Sequence, residues 1–289
     1  MITIWLGKTC LCSVCDAVGR EIQRLPQGRP VVGVTSLDNH LYVLRGGKSS
    51  EQVEVYDIDS YCLQRCLTVP GLGDVADIVA CAHNRCAYIS DREHSSIHKI
   101  SLSGDTITHW PVNDESHGLS LSLTYGVLVT CRYVRKIKEF TTDGQLVREV
   151  VMPDDVDTPW HSVRLSSGEF VVCHGVHDDP LHRVCLVSTE GHVVKSFGGP
   201  KGSSSQEMNV PLRLAVDENE FVYVADMNNR RVLLLSPSLT FVRQVVSRDQ
   251  LTGDGLSVHV DVNRQHLYVA DDVWKDDRWT DGRVVVFSV

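Results

Sequence analysis

Histidines and carboxylates are the side chains in this sequence best suited to metal chemistry, and most of the candidates share one segment. They are His174, His177, Asp178, Asp179 and His182, with His117 and His161 standing apart. A metal site needs three or four ligands converging at about 2.0–2.2 Å from the ion, and sequence spacing does not establish convergence. Turn histidines and solvated carboxylates are the simpler interpretation, so we predict no metal and no other cofactor.

Cysteine is also abundant, with 10 residues in the chain. Cys10, Cys12 and Cys15 form a group that is similar to part of a zinc site, but no fourth ligand lies nearby and no second CxxC pair follows at finger spacing. Four others share an apolar, strand-like setting in which a thiol packs as a small hydrophobic group: Cys81, Cys131, Cys173 and Cys185. We expect reduced and mostly buried cysteines.

Sequence patterns for nucleophilic or phosphate chemistry are missing. The chain contains no GxSxG, no HExxH, no P-loop and no GxGxxG at a strand-to-helix turn. The glycine-rich segment 198–202 includes Lys201, yet no helix-like pattern follows that would direct an N-terminus at a phosphate. We therefore predict that this chain is not an enzyme.

The overall charge argues against polyanionic ligands. Lys and Arg total 28 against 37 Asp and Glu, which gives a net charge of −9, whereas nucleic-acid binding usually requires a concentrated basic face. The best local cluster is Arg132, Arg135, Lys136 and Lys138, and strand alternation would divide it between two faces. RNA is thus a less favoured partner, and no DNA is expected.

Membrane insertion and secretion are also not expected. Apolar runs such as 232–235 and 284–287 are far shorter than the roughly 20 residues that cross a bilayer. The opening residues, MITIWLGKTC, lack a basic segment followed by a long apolar stretch. We therefore expect no secretory signal and a cytoplasmic location.

We expect short strands to position these side chains, because a unit of short strand-like segments recurs six times in the sequence. Strand-like cores recur with middle residues 46, 41, 42, 52 and 45 positions apart: Tyr42, Tyr88, Val129, Val171, Tyr223 and Tyr268. Each core lies among further short apolar runs separated by Gly, Asp, Asn and Pro turns. Four short strands in a unit of this length are typical of a β-propeller blade, and helix-length 3.6-residue periodicity is absent.

We predict an all-β fold, a six-bladed β-propeller of four-stranded antiparallel blades that forms one domain over residues 1–289. The blades span approximately 33–67, 78–110, 119–151, 161–197, 212–246, and 256–289 plus 20–25. The last unit has three strands of its own, and the N-terminal segment 20–25 can supply the fourth, which closes the ring without an exposed edge. The alternative is a seventh partial blade, or an irregular lid, formed by the residues before about Asp16.

The fifth unit carries a specific motif. It reads Leu214-Ala-Val-Asp217, then Tyr-Val-Ala-Asp226, then Asn229-x-Arg231, and on these residues the chain resembles the NHL repeat. Asp226 and Asn229 can hold a turn through side-chain to backbone hydrogen bonds, and Arg231 can reach back to the carboxylate. The motif residues, for which we expect structural and not catalytic roles, are Asp217, Asp226, Asn229 and Arg231, with Asp271 and Arg283 as a weaker version in the sixth unit.

Among NHL proteins the chain is most similar to the C-terminal propeller of tripartite-motif (TRIM-NHL) proteins. In that family the propeller recognises a protein or RNA, and N-terminal zinc domains carry ubiquitin-ligase activity. This sequence has no RING array, no B-box and no coiled-coil heptads, so ligase chemistry does not carry over. The resemblance implies the substrate-recognition part of a ubiquitin-ligase-type protein, either as a stand-alone propeller or as a piece of a longer chain.

Recognition is expected on the face where the links between blades and the turns between second and third strands emerge, because long loops on a rigid scaffold usually carry binding sites. The lengthened segments there are 46–52, 174–182, 198–211 and 272–282, and the last contains two Trp and an Arg, which are enriched at interface hot spots. The predicted contact residues are Trp274, Arg278, Trp279, His177 and Lys201. Alternatively, both tryptophans cap the blade core.

The sequence therefore predicts a non-catalytic interaction scaffold that binds a protein partner through this face. Two alternatives are an RNA-binding NHL propeller and a metal-dependent lyase or hydrolase with its site in the central channel.

Overall fold

Residues 19–47, 52–103, 106–255, 257–275 and 278–289 are described by a computed structural model of the chain. They form β-strands joined by turns, with two single-turn 3₁₀ helices at Met227–Asn229 and Arg248–Gln250. The strands are β1 (Arg20–Arg24), β2 (Val31–Leu37), β3 (His40–Arg45), β4 (Gln52–Asp57), β5 (Leu63–Thr68), β6 (Val75–Cys81), β7 (Cys86–Asp91), β8 (Ser96–Ser101), β9 (Ile107–Pro111), β10 (Ser116–Leu121), β11 (Val127–Cys131), β12 (Lys136–Phe140), β13 (Leu146–Val151), β14 (Pro159–Arg164), β15 (Phe170–His174), β16 (His182–Val187), β17 (Val193–Gly199), β18 (Pro211–Val216), β19 (Val222–Asp226), β20 (Arg231–Leu235), β21 (Phe241–Val246), β22 (Val258–Asp261), β23 (His266–Lys275) and β24 (Arg278–Ser288).

The strands assemble into six four-stranded sheets, and every pairing is antiparallel. The first five sheets each take four consecutive strands, from β2-β3-β4-β5 to β18-β19-β20-β21, and the sixth has the order β1-β24-β23-β22. The prediction of an all-β, six-bladed propeller with four antiparallel strands per blade is confirmed.

Burial follows the position of each strand within its blade. The second strands β7, β11, β15 and β19 are buried at every residue, because a neighbouring blade covers each face of the sheet. Outer strands face solvent on much of their surface, and β5 and β13 are mostly exposed. Burial therefore decreases from the second strand to the outer strand of a blade. This decrease is expected for a sheet whose inner part is covered on both faces and whose outer edge meets solvent.

The hydrophobic core is divided among the contacts between adjacent blades. Tyr42, Leu44 and Val55 of the first blade pack with Ile78 and Ile89 of the second, and comparable clusters join the other neighbouring blades around the ring. One blade buries its sheet only with help from the next.

The ring closes as predicted, through β1. This strand pairs with β24 from Arg20↔Ser288 to Arg24↔Val285, and the N–H of Leu25 donates to the carbonyl of Val284 at 2.9 Å. The alternative of a partial blade or lid concerns residues 1–15, which lie outside the described residues. Within the described residues, no helix is long and apolar enough to span a membrane.

The segment 272–282, which we interpreted as a lengthened turn, is instead a continuation of the sixth blade. Strands β23 and β24 stay paired as far as Lys275↔Arg278, and Trp274 lies opposite Trp279. Aromatic cross-strand pairs stabilise such hairpins, and their indole rings are 4.9 Å apart at 70°. We call residues 272–275 and 278–282 the ribbon.

Candidate functional site

One face of the disc collects the longest connections. In an antiparallel blade that starts at its inner strand, the turn between the second and third strands lies on the same side as the links between blades. The ribbon, the turn 175–181 and the link 200–210 all emerge on this side. We call it the loop face.

The loop face surrounds a cavity of about 340 Å³ at the mouth of the central channel. Its walls are largely apolar and aromatic, and they include Val176, Val210, Met227, Trp160 and the ribbon tryptophans. A concave, mostly apolar pocket with a few polar groups is the usual form of a ligand or side-chain binding site.

β-bulges at the start of the inner strands supply much of the cavity wall. In β2, β6, β14 and β18 the pairing register shifts by one residue near the first position, and β10 has a similar shift between Ser116 and Leu119. The residues in these irregular positions line the cavity: Val32, Ala76, His117, Trp160 and Leu212. A bulge re-aims a side chain without ending the strand, so each of these five blades contributes one such residue to the channel mouth.

Three of the five predicted contact residues lie together on this cavity. Trp274, Trp279 and His177 line it, and Trp274 is 50% exposed although it is a large apolar side chain. Lys201 lies beside them, since its Nζ donates to the carbonyl of His177 at 3.3 Å. Arg278 pairs with Lys275 at the end of the ribbon, and its side chain is outside the described part of the structure.

Positive side chains crowd one wall of the cavity. Arg213 is 6% exposed, and its guanidinium donates to the carbonyl of Ala76 at 2.7 Å. Arg92 forms an ion pair with Asp74 at 2.6 Å. Burial and the charges of three nearby arginines lower the pKa of His117 to about 2, so its imidazole is neutral at physiological pH.

Arg132, which the sequence groups with a solvated basic cluster, is half-buried beside this wall, against the cavity residue Trp160. Its guanidinium carbon is 4.1 Å from the centre of the Trp160 ring, at cation–π distance. The other three members of the cluster are neutralised: Arg135 pairs with Asp154, Lys136 with Glu149, and Lys138 with Asp114. The cluster therefore does not form a continuous basic surface.

The repeat motif holds the links of the loop face in place. The Asp226 carboxylate is fully buried and accepts from the backbone N–H of Asn209 at 2.7 Å, from Asn229 Nδ2 at 2.8 Å and from Arg231 Nε at 2.7 Å. Arg231 also donates to the carbonyls of Ser203, Ser204 and Glu207. The long link before β18 is thus fastened to the end of the second strand of its own blade.

Equivalent carboxylates occur in two other blades. Asp271 accepts from the backbone N–H groups of Thr252 and Gly253 and from Arg283 Nε at 3.1 Å. Asp91 accepts from the N–H of Gly73 at 2.8 Å. Asp217 instead closes the turn between first and second strands of its blade, accepting from the N–H groups of Asn219 and Phe221.

The predicted metal candidates do not converge. His174 contacts Arg183 and Cys185, and His182 Nδ1 accepts the N–H of Val210 at 3.0 Å. His161 Nε2 donates to the carbonyl of Leu119 at 2.9 Å. In the part of the chain that the structure describes, no three His, Cys, Asp or Glu side chains are placed to hold a metal ion.

A Ser–His contact lies near the other end of the channel, but its chemistry is weak. Ser36 Oγ is 2.8 Å from His259 Nε2, and the Ser36 N–H donates to the same nitrogen at 3.1 Å. Asp261 contacts the serine and not the imidazole. Burial lowers the pKa of His259 to about 4, so it is a poor base for activating a hydroxyl group.

The described cysteines are free thiols, as the sequence predicts. Cys81, Cys86, Cys131, Cys173 and Cys185 are buried. Burial raises the pKa of Cys173 and of Cys185 to about 12, so these thiols stay protonated and act as packing groups.

Comparison with known proteins shows the fold. No family model matches the sequence, and no curated protein matches it. Virginiamycin B lyase from Staphylococcus aureus superposes with a TM-score of 0.62 at 9% identity, covering 91% of this chain and 99% of that chain. A streptogramin B lyase gives 0.61 at 11% identity, covering 90% of this chain and 85% of that chain. A chain of a nidogen/laminin complex gives 0.63 at 12% identity, covering 79% and 84%. The chain is therefore similar in fold both to an enzyme and to a member of a protein complex.

Proposed function

We propose that this chain is a cytoplasmic, NHL-type interaction scaffold that binds a protein partner on its loop face, as the substrate-recognition part of a ubiquitin-ligase-type protein. One observation carries the proposal: the exposed Trp274 and its partner Trp279 border a largely apolar cavity at the centre of that face. An exposed Trp next to a concave apolar surface is characteristic of interface hot spots.

The contact of Arg231 with the Asp226 carboxylate, which the sequence motif implies, supports the NHL assignment. Asp226 and Asn229 hold the link before β18 and not the turn that the motif suggested. A cytoplasmic location agrees with buried cysteines that are free in the described residues. A protein is favoured over RNA because the net charge is −9 and carboxylates pair with most of the basic side chains near the loop face.

Quantitative affinity purification with paired variants tests the proposal. The bait is the wild-type chain, the Trp274→Ala variant, or a Leu123→Ala variant. Leu123 is 50% exposed, like Trp274, but it lies in the turn between β10 and β11 on the opposite face. We expect at least one protein whose recovery falls about tenfold with Trp274→Ala and does not change with Leu123→Ala.

An RNase-treated sample run in parallel separates protein from RNA recognition. Loss of every specific partner after RNase treatment would contradict the proposal. So would partners that depend on Leu123 and not on Trp274, since the binding surface would then be the other face.

A further inference from the structure

We propose that the channel mouth binds an acidic side chain of the partner, with Arg132 as the residue that pairs with its carboxylate. This inference rests on the proposed function and names the chemistry of the contact. The partner segment would place an Asp or Glu against Arg132 and a neighbouring apolar residue in the 340 Å³ cavity.

Arg132 has no ion-pair partner in the part of the chain that the structure describes. Its Nε atom is buried without a hydrogen-bond partner, and its guanidinium lies over the Trp160 ring. Desolvation lowers the pKa of Arg132, and the nearby carboxylates of Glu115 and Asp179 offset part of this effect. Among the described residues, what Arg132 lacks is compensation at ion-pair distance. A carboxylate that arrives from outside would supply the compensation, and Arg binds carboxylates in a bidentate, charge-assisted geometry.

Two groups that do line the cavity have polar atoms without a hydrogen-bond partner. His117 is 1% exposed and Arg213 is 6% exposed, and their Nδ1 and Nε atoms, respectively, are buried without a hydrogen-bond partner. His117 Nε2 lies 3.0 Å from Glu115 Oε1. Because a carboxylate only accepts, Nε2 carries the proton, and Nδ1 is an unused acceptor. Buried polar groups normally have partners. A carboxylate has no proton to donate to His117 Nδ1, so an acidic ligand could complete Arg213 Nε but not this nitrogen.

The described carboxylates of the channel mouth form no ion pair with Arg132, and other groups engage each of them. Asp74 pairs with Arg92 at 2.6 Å and Asp254 with Arg230 at 2.9 Å. Glu115 accepts a hydrogen bond from the neutral His117 at 3.0 Å, and Asp179 accepts the N–H of Val176 at 2.8 Å. Asp77 accepts the N–H of Leu119 at 2.9 Å and lies 3.5 Å from Arg213 Nε.

The surroundings of Arg132 favour a peptide over a nucleic acid. Tyr133 is 65% exposed and Val134 is 40% exposed on the same turn, so apolar surface flanks the guanidinium on the solvent side as well as at Trp160. A nucleic-acid backbone needs several unpaired cations in a row, whereas one unpaired arginine within an apolar rim matches a single acidic residue among hydrophobic neighbours.

Peptide display followed by a matched substitution series tests the inference. A library of random short peptides is selected on the wild-type chain, and the strongest binders are synthesised with each acidic residue in turn changed to its amide. Dissociation constants are then measured on the wild-type chain and on the Arg132→Gln, Arg135→Gln and Trp274→Ala variants.

Arg135→Gln is the control for net charge. Arg135 lies on the same turn as Arg132 and pairs with Asp154 and Asp157, so both substitutions remove one positive charge from one loop. We expect the amide change at one peptide position to weaken binding about tenfold on the wild type and on Arg135→Gln, and to have no effect on Arg132→Gln.

Three outcomes overturn the inference: selected peptides without a shared acidic residue, an amide effect that persists in Arg132→Gln, or Arg132-dependent binding of single-stranded poly(U) RNA in place of peptide. The peptide-side change needs no protein variant, so it tests acid recognition even if Arg132→Gln does not fold. Peptides that bind equally well to Trp274→Ala contradict the proposed function itself, whereas Trp274-dependent peptides without acid preference contradict only this inference.

Discussion

Asp226 shows how one buried carboxylate can organise a loop face. It is fully buried, yet backbone, amide and guanidinium donors surround it, and through Arg231 it fixes the link 200–210 between blades. A buried charge is stable only with such partners. The repeat motif therefore anchors a link of the loop face to the rigid ring.

At the residue scale, Asp226→Ala should lower the free energy of unfolding by about 3–5 kcal/mol, because it leaves the Arg231 guanidinium buried without its counterion. Arg231 is 8% exposed. The matched control is Asp217→Ala, which removes two hydrogen bonds from an accessible turn and should cost about 1 kcal/mol. Urea unfolding measures both, and equal losses for the two variants would refute the structural role given to Asp226.

The motif residues were predictable from the sequence, but the residues that meet at the channel mouth were not. Asp226, Asn229 and Arg231 are close in sequence, so their contacts follow from local spacing. His117 and Trp160 reach the same cavity because β-bulges turn them inward, and a bulge has no reliable sequence signature here. The one available signal was their recurrence at the start of the inner strands with the period of the repeat.

The ribbon is the element that joins the sixth blade to the cavity. Gly282 lies at its base, where a Cβ atom would come within 1.7 Å of Asp272 Oδ1, and the Gly282 carbonyl accepts from the buried Arg45 at 2.8 Å. Its glycine and charged residues suggested a turn, but strand pairing continues from Val273↔Asp281 to the tryptophan pair, with a register shift between them. Cross-strand pairing within the hairpin overrode the local turn propensity.

At the element scale, the two ribbon tryptophans should differ in their effect on stability. Trp279 packs against the cluster between the first and sixth blades, so Trp279→Ala should cost about 1–3 kcal/mol of unfolding free energy. Trp274 is half exposed, and Trp274→Ala should cost less than about 0.5 kcal/mol. Chemical denaturation of both variants checks this order. A large loss for Trp274→Ala would assign it to the core and remove it from the binding surface.

The whole molecule depends on inter-blade burial, and this was predictable from the sequence. Repetition of four short strands implies sheets that cannot bury both faces alone, and the missing fourth strand of the last unit implies closure by the N-terminal segment. The chain confirms both, through the blade-to-blade clusters and the pairing of β1 with β24.

Buried histidines should make the ring sensitive to acid. Burial lowers the pKa of seven of them: His98, His117, His161, His174, His182, His259 and His266. Below about pH 6.5 the unfolded chain binds protons that these folded groups do not, so the free energy of unfolding falls as pH decreases. His94 acts in the opposite sense, because its hydrogen bond to Asp91 raises its pKa.

At the scale of the molecule, we therefore expect a net loss of stability between pH 7 and pH 5, with about 2 kcal/mol at pH 5 from each fully buried histidine such as His117 or His174. Urea unfolding at several pH values gives the slope. The variant His174→Gln, whatever its absolute stability, should show a shallower slope than the wild type. Stability that is constant or rises as pH falls would contradict the assignment of neutral buried imidazoles.

Hydrogen–deuterium exchange of the chain, alone and with a partner recovered by the Trp274-dependent purification, tests most directly whether the loop face is the binding surface. We expect protection of backbone amides in the ribbon and in the turns 132–135 and 175–181. Protection confined to the turns on the opposite face, such as 122–126, 141–145 and 188–192, would contradict the account.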